Sequence, residues 1–260
     1  MNRISTAVTA LGLAATVTLA ATNEVVSVNV VGYAKVNVPA TSLVLCSAGF
    51  NTMDPNATVQ EVMAGQLTGG WDYFGGDHVY LWDAAAQQYT VLWKQDTGGV
   101  LDGDGWLDSN TGVLSTNKLV PGSAFWVESS QTGDQALTLL GEVVSAPTVN
   151  VPMVEGLNFF SFPYSADQAL TNSTLQAANG SVGGWDYFTA DHVYSWDVTS
   201  QQYTVYWLQD TGGVLDGDGW VDANTGVAST EVMSLAEGFW YERMAGAGSL
   251  TWSPTIPYTL

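Results

Sequence analysis

Hydrophobic and polar positions alternate with a period of two through much of this chain, the signature of half-buried strands. Val25 to Val38 is rich in β-branched residues, and Leu43 to Phe50 continues as an apolar run after Pro39. Both predict strands. His78 to Trp82 and Tyr89 to Trp93 flank Ala84 to Gln88 and predict a hairpin, and Phe125 to Glu128 with Ala136 to Val143 predicts another around Gln131-Thr132-Gly133-Asp134. The single predicted helix covers Thr58 to Ala64, where Thr58-Val59-Gln60-Glu61 has capping-box spacing.

One unit of this pattern occurs twice. Gly69 to Thr116 aligns without gaps on Gly183 to Thr230, an offset of 114, with 37 of 48 positions identical. Val36-Asn37-Val38-Pro39 recurs as Val149-Asn150-Val151-Pro152, and Phe125-Trp126 as Phe239-Trp240. The period is too long for a solenoid or propeller array. The fold class expected is all-β: two tandem homologous β-sandwich or open-barrel domains after a cleaved signal peptide. The boundaries expected are 1–21 for the signal peptide, 22–145 for the first β domain and 146–260 for the second. In the hairpin, Tyr80, Trp82, Tyr89, Val91 and Trp93 share a face and reappear as Tyr194, Trp196, Tyr203, Val205 and Trp207. Leu81, Leu92 and Lys94 on the opposite face become Ser195, Tyr206 and Leu208. The preserved aromatic face is therefore expected in each domain's core, and the varied face in solvent.

The N-terminus bears on destination. Arg3 precedes an apolar stretch from Ala7 to Leu19 that ends in small residues, which predicts cleavage after Ala20 or Ala21 and export to the cell surface, the medium or the periplasm. No later apolar run is long enough for a membrane span, so membrane insertion after cleavage is not expected. The single Cys, Cys46, allows no intramolecular disulfide and reads as a small buried apolar residue.

Charge narrows the partners. The chain carries 25 acids against 5 basic residues, a net charge of −20 that becomes one unit more negative if Arg3 leaves with the signal peptide. Nucleic acid and anionic lipid are poor partners for such a surface, whereas divalent cations are better ones. With 46% hydrophobic residues the acids decorate a folded core.

Several residues could carry chemistry. Asp102-Gly103-Asp104-Gly105-Trp106-Leu107-Asp108 and its copy Asp216-Gly217-Asp218-Gly219-Trp220-Val221-Asp222 resemble calcium loops of the EF-hand and thrombospondin type 3 kind. Alternate Asp residues on a Gly-containing loop can converge on Ca2+, and Asp102, Asp104, Asp108, Asp216, Asp218 and Asp222 are the candidate ligands. The first and twelfth loop positions would be Val100 and Thr111, a departure from the EF-hand pattern. The competing reading is that Asp-Gly and Asn-Thr-Gly build turns. His78 and His192, the only histidines, each follow an Asp and read as strand-opening residues bonded to a neighbouring carboxylate. No Gly-x-Ser-x-Gly elbow occurs, and no carboxylate pair can be singled out among so many acids, so no catalytic residue is assigned and an enzyme is not expected. Trp106, Trp220, Trp71 and Trp185 are the candidate exposed platforms for a sugar.

Val28-Asn29-Val30-Val31-Gly32-Tyr33, Trp106-Leu107-Asp108 and Pro121-Gly122-Ser123-Ala124-Phe125-Trp126-Val127 resemble a family of exported bacterial β-rich proteins of unknown function. The second unit departs from its Pro-Gly form with Ala236-Glu237-Gly238-Phe239-Trp240. The resemblance implies export and β structure, and no activity. Two functions are expected to compete. One is a structural or matrix protein of layer or adhesion type that associates with itself. The other is a calcium-assisted carbohydrate-binding protein with two equivalent sites for an extracellular polysaccharide.

Overall fold

The computed structural model describes residues 30–101, 103–214 and 217–260. The predicted signal peptide, and Asp102 and Asp216 of the acidic loops, lie outside the described residues. The protein is all-β, with antiparallel sheets and, among the described residues, no closed barrel.

In the first half the strands are β1 (Val31–Val38), β2 (Leu43–Ser47), β3 (His78–Asp83), β4 (Gln88–Gln95), β5 (Gly105–Asp108), β6 (Ala124–Glu128) and β7 (Gln135–Glu142). They form a five-stranded sheet in the order β2-β6-β3-β4-β5 and a separate β1-β7 ladder. In the second half they are β8 (Val151–Met153), β9 (Gly156–Phe160), β10 (Gln168–Ala169), β11 (His192–Asp197), β12 (Gln202–Gln209), β13 (Gly219–Asp222), β14 (Val232–Met233), β15 (Phe239–Arg243) and β16 (Leu250–Trp252). The order β9-β15-β11-β12-β13 repeats the first sheet strand for strand, and β8-β16 stands where β1-β7 does.

Each half is a two-layer sandwich around its own core. In the first, Val38, Leu137 and Leu139 of the small ladder meet Val79, Leu92, Trp106, Phe125 and Val127 of the large sheet. In the second, Val151, Met153 and Trp252 meet Val193, Tyr206, Leu208, Trp220 and Tyr241. Val144 already belongs to the second core, and Ala236 reaches back into the first. Cys46 is fully buried, and burial, followed by the charge of Glu237, pushes its thiol upward.

The β3-β4 hairpin forms in the expected register, with Trp82 opposite Tyr89 and Tyr80 opposite Val91. The other expected hairpin does not. β6 pairs with β2 and β3, while β7 crosses to pair with β1 along its whole length, because the apolar positions of β7 are needed to close the far side of the core. The predicted helix shortens to α1 (Val59–Val62), entered through Thr58, whose backbone N–H donates to the Glu61 carboxylate at 2.7 Å.

The two faces of the hairpin are reversed relative to expectation. The varied face is the core face: Leu92 and Tyr206 are both buried, and Lys94 lays its stem along the sheet so that Nζ reaches the carbonyls of Gln66 and Leu67. The preserved aromatic face turns outward and meets the same face of the other half. Leu45, Ala124, Trp126 and Trp240 form a third buried cluster there, flanked by Tyr80, Trp82, Phe159, Tyr194 and Trp196. Two independent cores can repack separately, and Tyr206 and Ser195 do so by donating to Glu231 at 2.7 and 2.9 Å. A face that meets its own copy is held by reciprocal contacts, so a change on one side has to be accommodated on the other.

Reciprocal hydrogen bonds hold the halves together. Trp82 Nε1 donates to the Leu157 carbonyl at 2.8 Å, and Trp196 Nε1 to the Leu43 carbonyl at 2.9 Å. Gln87 brackets Leu157 with two bonds, accepting its N–H at 3.0 Å and donating to its carbonyl at 2.9 Å. Gln201 does the same to Leu43, at 3.0 and 3.1 Å. Both glutamines sit in the left-handed region, at φ 52° and 54°, as the tight hairpin turns require.

Candidate functional site

Where the aromatic faces diverge from the seam they leave two clefts. One, of about 280 Å³, is lined by Leu43, Tyr80, Tyr89, Val91, Trp126 and Glu128. The other, of about 390 Å³, is lined by Leu157, Tyr194, Tyr203, Trp240 and Glu242, with Tyr89 contributed from across the seam. Apart from that Tyr89, every residue of the second cleft is the counterpart, 114 positions on, of a residue of the first. Tyr89 lines both, so the clefts adjoin. Each has the size of a small-ligand pocket at the lower end of the usual range.

Pairing across the sheet builds the walls. Tyr80 on β3 lies opposite both Val91 on β4 and Trp126 on β6, and period-two alternation brings Tyr89 and Glu128 to the same face. Tyr80 and Tyr89 stand nearly at right angles, with ring centroids 5.9 Å apart and an interplanar angle of 76°. Tyr194 and Tyr203 repeat this at 6.0 Å and 80°. Trp126 and Trp240 are buried as floors. Trp240 Nε1 donates to the Tyr203 phenol oxygen at 3.0 Å, and Trp126 stands in the matching position beside Tyr89 in the first cleft.

Each cleft has one carboxylate at its rim. Glu128 accepts from the Tyr80 phenol, and Glu242 from the Tyr194 phenol. Burial first, and then these carboxylates, push both phenols above the ordinary tyrosine range, so they stay protonated donors. Behind them His78 Nδ1 lies 3.6 Å from Glu128 and His192 Nδ1 lies 3.4 Å from Glu242. Tyr73 covers the His78 ring at a centroid distance of 4.3 Å, and Tyr187 covers His192 at 4.2 Å. The histidines are thus strand-opening residues beside a carboxylate. That carboxylate is on β6 or β15. The preceding Asp77 and Asp191 serve elsewhere, Asp77 accepting from Thr68, Ser130 and Gln135, and Asp191 from Val182, Tyr241, Met244 and Arg243.

The acidic loops are organised by their own backbone. Asp104 accepts from the N–H groups of Thr97 and Gly99 at 3.0 and 2.9 Å and from the Thr97 hydroxyl at 2.8 Å. Asp218 repeats the arrangement with Thr211 and Gly213. These bonds hold both carboxyls below the usual aspartate range. Asp108 accepts from Asn110 and Thr111, and Asp222 from Asn224 and Thr225, each closing a turn. Among the described residues no group of three or more His, Cys, Asp or Glu side chains is placed to hold a metal ion.

The tryptophans divide. Trp106 and Trp220 are fully buried in the two cores, so neither ring has a face open to a sugar, contrary to expectation. A residue beside an exposed loop can still point inward, and the strand register puts Trp106 opposite Lys94 on the core face. Trp71 and Trp185 are exposed as expected, at 65% and 63%, in loops that also expose Phe74 and Phe188. The cleft residues Tyr80, Tyr89, Trp126 and Glu128 were not singled out as a site by sequence reasoning. The available signal was their joint recurrence at the same offset, Glu128 and Glu242 included.

No helix among the described residues is long and apolar enough to cross a membrane. No protein-family model, curated protein or solved structure matches the chain.

Proposed function

We propose that this is an exported, non-catalytic binding protein that holds an extracellular polysaccharide in two equivalent aromatic clefts. The observation that carries the reading is the repetition of one cleft composition, two tyrosines, a tryptophan floor and a rim carboxylate, on either side of a pseudo-two-fold seam. Exposed aromatic faces next to a polar acceptor suit the apolar face and hydroxyl edge of a pyranose. Adjoining sites raise the avidity for a polymer over that for a single residue. Glycan-array binding tests this. Binding should be lost in the Tyr89→Leu/Tyr203→Leu double variant and retained in Trp106→Phe; the absence of binding to any glycan would sink the reading.

A second reading, self-association into a surface layer, is favoured by the Trp71/Phe74 and Trp185/Phe188 pairs, with Phe74 86% and Phe188 81% exposed. Concentration-dependent sedimentation that is abolished in Trp71→Ser/Trp185→Ser would support it.

A further inference from the structure

We infer that each cleft is built to take an alkylammonium group, so that the ligand is an organic cation or a polymer bearing amines. This rests on the clefts being the binding sites and specifies what they select. Two aromatic walls at 76° and 80° leave a corner in which a compact cation touches two ring faces at once. Tyr89 and Tyr203, the outer walls, are each 40% exposed, so the corner is open to solvent. In the second cleft the Trp240 N–H bond to the Tyr203 phenol oxygen fixes the orientation of that wall before any ligand arrives.

The polar side of each corner points the same way. Among the described residues its one charged group is a carboxylate, Glu128 or Glu242, and no basic residue lines either cleft. Both phenols of the inner walls already donate to that carboxylate. An ammonium group draws on ring faces and on an acceptor of negative charge at once, whereas a neutral sugar gains nothing from the charge of the carboxylate. The net charge of −20 adds long-range attraction for cations and repels anionic glycans.

The test is isothermal titration and tryptophan fluorescence on the intact protein, with charged ligands compared against neutral counterparts. Choline is set against its isostere 3,3-dimethylbutan-1-ol, and glucosamine oligomers against N-acetylglucosamine oligomers. The charged member of at least one pair should bind about tenfold more tightly than its neutral partner, by the magnitude of a desolvated cation–π contact. That preference should weaken with salt and fall in Glu128→Gln/Glu242→Gln. Preference for choline assigns a free solute, and preference for the glucosamine oligomer assigns an amine on a polysaccharide. Equal binding of charged and neutral members, lost in Tyr89→Leu/Tyr203→Leu, overturns the cation inference and leaves the clefts as binding sites. Cation binding that survives that double variant places the site elsewhere and also overturns it. No binding by any of the four overturns the cation inference, while the polysaccharide reading stands or falls on the glycan array.

Discussion

Glu237 stands where the first half has Ser123, and the difference puts a carboxylate into the seam between the halves. Its flanking backbone reaches across to β2: Ser47 N–H donates to the Ala236 carbonyl at 2.9 Å, and Gly238 N–H to the Leu45 carbonyl at 3.2 Å. Burial, reinforced by the charge of Glu231, pushes Glu237 up to about 7. An acid whose pKa is higher folded than unfolded binds more protons in the native state, so its ionisation costs stability as pH rises from its unfolded value through about 7. Glu237→Gln should therefore raise the melting temperature at pH 8.5 and lose that advantage near pH 4.5. The gain at high pH should be at most about 3 kcal/mol, from the size of the shift. The buried tryptophans offer a second comparison. Trp220 Nε1 donates to the Leu175 carbonyl at 2.7 Å, while Trp106 Nε1 has no partner among the described residues. Replacing Trp220 by Phe should cost about 1 kcal/mol more than replacing Trp106, the net worth of one buried hydrogen bond. Chemical denaturation of the two variants measures the difference.

At the scale of elements, the hairpin tips act as latches. Gln87→Ala removes both bonds to Leu157, and Gln201→Ala both bonds to Leu43. Each should cost about 1–2 kcal/mol, and because the sites are separate the double variant should lose close to the sum. The acidic loops are expected to behave differently. Their described carboxylates are already satisfied by backbone donors, so melting temperatures in calcium and in chelator should coincide; a rise in calcium would instead assign the loops a metal. Much at this scale was legible in the sequence. The β3-β4 hairpin, the capping box at Thr58 and the turn-building role of Asp108 all follow from local spacing. The β1-β7 ladder does not, because alternation shows that a strand has a buried face without naming the strand that it pairs with.

For the whole molecule, the aromatic face illustrates what one sequence can and cannot convey. Its preservation between copies announced a packing constraint, but a constraint within each core and a constraint between copies leave the same mark on Tyr80, Trp82 and Trp126. Only their placement at the seam separates the two, and with it come the clefts that alternation alone could not have located. Global charge is a further property of the whole. With a net charge of −20 the folded state repels itself, and raising sodium chloride from low to physiological concentration should increase the melting temperature.

The repacked core faces have a consequence for how this chain finds its fold. Its two hairpins are nearly interchangeable on the seam side, so during refolding either could insert into either sheet, a hazard general to tandem copies. What tells them apart is the other face: Leu81, Leu92 and Lys94 in one, Ser195, Tyr206 and Leu208 in the other, each fitted to its own interior. Those six side chains serve as addresses. A chain in which the second hairpin carried the first hairpin's three residues would leave Glu231 without the Ser195 and Tyr206 hydroxyls, and should refold more slowly and in lower yield. That outcome would make divergence between the copies a safeguard of assembly.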